Sequence, residues 1–188
     1  MEALVTSFLA AALAEWGDKT QLFVIALAVR YRQPVPVLAG FGLGGLASML
    51  LAALAGTFIH DVITLRAISL LLAVALIFAA VSGFAGKDTP EIGGSWPTGP
   101  LATAAGGTFL LEFGDKSQFL TSAIAAQFDS VVLATAGATA GMLAAAAPAA
   151  LLGDRLAVVM PMKPLRIGIA VLFLLIGFLI AVSALRLI

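Results

Sequence analysis

Glu15-Trp16-Gly17-Asp18-Lys19-Thr20-Gln21 and Glu112-Phe113-Gly114-Asp115-Lys116-Ser117-Gln118 are two versions of one heptapeptide, 97 positions apart. The same offset brings Gly40 onto Gly137, Gly44 onto Gly141 and Gly56 onto Gly153, and an offset of 100 brings Leu65-Arg66 onto Leu165-Arg166. A seven-residue match with later glycines in register is the mark of an internal duplication. The repeated segment is also the most polar part of a chain that is otherwise apolar.

Of the 188 residues, 62% are hydrophobic and 11% charged, and mean hydropathy is +1.13. A soluble domain is about 45–50% apolar and about 25% charged. So little polar surface cannot cover a water-soluble fold, and the apolar residues fall into long runs, so the expected solvent is lipid. Six segments are long enough to cross a bilayer: 3–29, 35–59, 65–85, 100–126, 130–152 and 165–187. The expected fold is an all-α integral membrane protein, one transmembrane domain over 1–188. A first three-helix repeat (3–85) is joined by a polar connection (86–99) to a second (100–187). Three helices per repeat is an odd number, so the second repeat enters the membrane with opposite orientation. That is the inverted-topology plan of many secondary transporters, whose substrate site lies near the midplane between the repeats.

Orientation follows the lysines and arginines. With the N-terminus outside, the cytoplasmic side holds Arg30, Arg32, Lys87, Arg155, Lys163 and Arg166, and the outer side only Arg66 and Arg186. Both termini are therefore expected outside the cytoplasm. The start, Met1-Glu2-Ala3, has no basic region ahead of Ala12-Leu13-Ala14, and the first motif recurs deep in the chain. A cleaved signal peptide is not expected.

Several chemistries drop out. Formal net charge is zero and no basic run exists, so nucleic acid is not an expected partner. Cysteine is absent and His60 is the only histidine, which excludes thiolate sites and a histidine-rich zinc or copper site within one chain. No nucleotide-binding motif is present and no cofactor is called for. His60, beside Asp61 at a helix end, reads as interfacial.

Glu15 lies about 18 Å into the first span at 1.5 Å per residue, near the middle of a hydrocarbon core about 30 Å thick, and Glu112 lies similarly in the fourth. Ionisable groups at that depth are costly and face a partner or a water-filled cavity. On continuous helices Glu15, Asp18 and Gln21 would share a broad face with Thr20 beside it, and Lys19 would pair with Glu15 one turn away. Glu112, Asp115, Gln118, Ser117 and Lys116 would repeat this. If the two faces meet, four carboxylates, two hydroxyls and two amide oxygens converge as an all-oxygen set suited to calcium or manganese. Gly17 and Gly114 permit local unwinding, and the GxxxG pairs at Gly40/Gly44 and Gly137/Gly141 are expected to seat their helices against the motif helices.

The paired E-x-G-D-K-[ST] motif in a small six-span chain resembles the Gdt-type family of divalent cation/proton exchangers, over essentially the whole sequence. The resemblance implies export of manganese first and calcium second, as substrates, in exchange for protons. It carries over Glu15, Gly17, Asp18, Lys19 and Thr20, then Glu112, Gly114, Asp115, Lys116 and Ser117. The compact form resembles bacterial members, which implies the inner membrane of a bacterium and leaves room for a homo-oligomer. Two other functions compete: export of an amino acid or small organic cation, and an intramembrane aspartyl protease built on the two aspartates. The first would need fewer carboxylates, and the second does not call for a glutamate and a lysine beside each aspartate.

Overall fold

The computed structural model describes residues 1–85, 98–153, 156 and 161–186. The main helices among the described residues are α1 Glu2–Glu15, α2 Lys19–Tyr31, α3 Pro34–Val62, α4 Leu65–Phe84, α5 Pro100–Glu112, α6 Lys116–Phe128, α7 Val131–Leu152 and α8 Met162–Leu185. Four of them, α3, α4, α7 and α8, are long and apolar enough to cross a membrane alone. Local signals set the ends. Proline opens α3 and α5, where its missing N–H costs nothing. Thr64 and Ser130 cap α4 and α7 through their hydroxyls. Arg32 and Asp129, again 97 positions apart, close α2 and α6 in the left-handed conformation.

The spans at 3–29 and 100–126 are broken at Gly17 and Gly114, where the sequence permits unwinding but does not require it. Each is two short helices, α1 and α2 or α5 and α6, of 14, 13, 13 and 13 residues. Each short helix is only about 20 Å long at 1.5 Å per residue. Residues 86–97 of the polar connection, with Lys87, and the pair Asp154 and Arg155 lie outside the described residues.

The two halves are interlocked. The helix α3 packs on α5 and α6 of the other half, and α7 packs on α1 and α2. The expected glycine seats are confirmed. A Cβ on Gly40 or Gly44 would stand 2.2 Å from the carbonyl oxygen of Leu101 or Ala105 on α5. One on Gly137 or Gly141 would stand 2.2 or 2.3 Å from that of Leu4 or Phe8 on α1. Backbone therefore touches backbone at both crossings, which only a missing side chain permits. The helices α4 and α8 pack along each other, and Leu172, Leu174, Leu175, Ile176, Phe178 and Leu179 of α8 are exposed, an apolar surface suited to lipid. His60 ties the end of α3 to α6, its Nδ1 lying 2.7 Å from the Ala126 carbonyl oxygen.

Candidate metal site

Each motif folds as a helix stop, a tight turn and a helix start. Trp16 has φ −66° and ψ 120°, Gly17 has φ +70°, and the Asp18 N–H donates to the Glu15 carbonyl at 3.2 Å. Phe113 (−64°, 114°), Gly114 (+75°) and the Asp115 N–H to Glu112 carbonyl bond at 3.0 Å repeat it. This is a type II turn, whose third residue needs positive φ and is therefore glycine. Asp18 and Asp115 then occupy the N-cap positions of α2 and α6, although neither side chain caps its helix.

The glutamines hold the turns in place. Gln21 Oε1 accepts from the Gly17 N–H at 2.9 Å, and its Nε2 donates to the Ala145 carbonyl on α7 at 2.8 Å. Gln118 does the same with the Gly114 N–H at 2.9 Å, and with the Ser48 carbonyl at 3.2 Å and hydroxyl at 3.0 Å on α3. Their amide oxygens are directed at backbone, not toward the carboxylates. Nothing in the sequence marks Ser48 and Ala145 for this role. They share the 97-residue offset, but a backbone acceptor leaves no trace in residue type.

The expected pairing of each lysine with the glutamate one turn earlier is replaced by pairing between halves. Lys19 Nζ lies 2.8 Å from Asp115 Oδ1, and Lys116 bonds Asp18 and lies 3.3 Å from Asp115 Oδ2. The turn removes the helical phase that would have stacked glutamate over lysine. The hydroxyls of Thr20 and Ser117 both donate to Glu15, one to each carboxylate oxygen. Glu112 is fully buried, and among the described residues neither of its oxygens has a hydrogen-bond partner. Glu15, Glu112 and Asp115 each offer an oxygen within 4.8 Å of the others. Oxygens around a calcium-sized ion, at about 2.3–2.6 Å from it, lie no more than about 5 Å apart. Of the eight ligands expected, three carboxylates and two hydroxyls converge, Asp18 is engaged by Lys116, and the glutamines serve the turns.

The two motifs differ in cover. Gly17 and Asp18 are buried, and a Cβ on Gly17 would stand 3.5 Å from both Arg166 Cβ and the Met162 carbonyl oxygen of α8. Among the described residues nothing lies within 4 Å of the same point on Gly114, and Phe113 is 67% exposed. The second motif opens on a cavity of about 690 Å³ lined by Leu51, Ala55, Phe78, Asp115, Gln118 and Ser122, among others.

The model of the family described as "Divalent cation/proton antiporter GDT1" matches residues 3–90 and again 100–187, once per half. The chain belongs to this family. A protein of Vibrio cholerae serotype O1 (strain ATCC 39541 / Classical Ogawa 395 / O395), named "Putative manganese exporter", is 37% identical over 183 residues, covering 93% of this chain and 88% of that protein. No solved structure matches. As a member of the GDT1 family, the chain is a cation transporter of the membrane and not an enzyme, so the aspartyl protease reading falls.

Proposed function

We propose that this GDT1 family member exports manganese, with calcium the second choice, from the cytoplasm of a bacterium in exchange for protons. The ion binds between Glu15, Glu112 and Asp115, with Thr20 and Ser117 beside it. Residues 3–85 and 100–187 act as two inverted repeats of three spans, α1–α2 and α5–α6 each counting as one broken span, with both termini outside. The Vibrio cholerae relative's name supports manganese, and the charge bias of the loops supports the orientation.

The observation that carries the coupling is the crossed pairing of the lysines. Four carboxylates and two lysines sum to −2. With Lys19 set against Asp115 and Lys116 against Asp18, the uncompensated charges are those of Glu15 and Glu112. One divalent ion neutralises them, and so do two protons. An empty, doubly negative site would carry a large desolvation cost through a low-dielectric interior, while either loaded form would not. The carrier therefore turns over loaded with metal in one direction and with about two protons in the other.

The test is manganese flux in proteoliposomes with the pH gradient and the membrane voltage clamped separately. Flux driven by an opposing pH gradient and nearly indifferent to voltage is expected. Flux that follows voltage and ignores the pH gradient would make the protein a channel or uniporter and end this reading.

A further inference from the structure

We propose that Arg166, in the first turns of α8, is the positioning residue that closes the first motif. This rests on the transport reading. Arg166 and Arg66 are matched by the 100-residue offset, yet the structure uses them differently. Arg166 lays its stem over the first turn, with Cβ and Cδ 3.5 and 3.7 Å from the Cβ position of Gly17. With Trp16, Asp18 and Lys116 it lines a small cavity, and its Nε is buried with no hydrogen-bond partner among the described residues. Arg66 is exposed at the far end of the same helix pair, where its Nε donates to the Ala184 carbonyl at 2.6 Å.

The helices that carry the two arginines are packed closely enough to form one unit. A Cβ on Gly83 of α4 would stand 2.9 Å from the Ala170 Cβ, and one on Gly177 of α8 would stand 3.0 Å from the Ala73 carbonyl oxygen. The pair rests on the core through Leu13, Ala14 and Trp16 beside the first motif and through Phe119, Leu120 and Ala123 of α6. Lifting α8 from the first motif takes Arg166 off Gly17 and opens that side of the site. A guanidinium at the closed side also places a fixed positive charge between the carboxylates and the bulk, which opposes entry of a cation from that side.

The natural chain has no cysteine, so introduced thiols report without background. Trp16→Cys is placed in full-length protein with Arg166 intact, with Arg166→Lys and with Arg166→Gln. Its reactivity to a small thiol reagent should rise at least about tenfold with glutamine, a shift of about 1.4 kcal/mol in the closed–open balance, and stay near the parent with lysine. Equal reactivity in all three overturns the proposal, whichever ion the protein carries. In a second arm, Trp16→Cys with Arg166→Cys is joined by a short thiol cross-linker that a reductant cleaves. Manganese flux should fall at least about tenfold and return on cleavage. Undiminished flux in the cross-linked protein would mean that α8 need not leave the first motif, and would overturn the proposal. If the parent protein, with Trp16 and Arg166 intact, moves no metal at all, it is the transport reading that fails, and the thiol reactivities still decide the lid.

Discussion

Glu15–Gln21 and Glu112–Gln118 make the same turn, with the same glutamine brace and the same break between helices, but they stand in different surroundings. The first is roofed by α8. The second faces an open cavity. Glu15 holds two hydroxyls while Glu112 holds none. Local conformation is therefore written into the heptapeptide, since positive φ at glycine and an aspartate at the helix start recur with the residues. Environment is not, because it depends on where the α4–α8 pair rests. Under the transport reading the inequality belongs to one state of a two-state carrier, and a full cycle makes the two motifs equivalent.

The glutamates give the largest effect and the sharpest way to break that equivalence. Glu15→Gln and Glu112→Gln should each lower manganese export by at least about 100-fold, about 2.8 kcal/mol, with normal membrane insertion. Each change removes one of the two uncompensated charges, so neither a divalent ion nor a proton pair is balanced. Export assays with quantified membrane protein check this. A near wild-type rate for Glu112→Gln alone would mean that the unpartnered carboxylate is a bystander, and the three-carboxylate site would be wrong.

The lysines come next. Lys116 is 4% exposed and bonds Asp18, which is 2% exposed, whereas Lys19 is 29% exposed beside Asp115. Removing one partner of a buried pair costs about 3–5 kcal/mol, and a partly exposed pair such as Lys19–Asp115 costs less, a fully exposed one being worth about 0.2–1 kcal/mol. Lys116→Gln should therefore unfold in detergent well below Lys19→Gln. Equal losses would show that the protein spends as long with the second motif covered as with the first.

Much of this was legible in the sequence because duplication and small-residue spacing are one-dimensional signals. The repeat, the glycine seats on α5 and α1, and the clustering of Glu15, Glu112 and Asp115 could be read from residue type and register. The sequence leaves the breaks at Gly17 and Gly114 open, and the crossed lysines and the glutamine braces could not be read from unbroken helical phase. A signal was present: glycine followed by aspartate marks a helix end and a new N-cap, and Gly17-Asp18 and Gly114-Asp115 each carry it. The unequal roofing had no signal, since Arg66 and Arg166 sit in matching sequence and part company only in tertiary structure.

The smallest effect isolates the part of the motifs that is the same in both. Gly17→Ala and Gly114→Ala each force a side chain into left-handed backbone, at φ +70° and +75°, which costs about 1–2 kcal/mol. Space adds little at either site: the nearest neighbours of a Cβ on Gly17 stand at 3.5 Å, an ordinary contact, and Gly114 has none within 4 Å. The two variants should therefore lose the same stability within about 0.5 kcal/mol, read from unfolding in mixed micelles. Transport is a separate matter, because each turn positions an aspartate and a lysine that face the site. Both variants should slow export to a similar degree. Slowing by Gly17→Ala alone would mean that only the first turn takes part in transport, and the two halves would then be a duplicated scaffold with one working site.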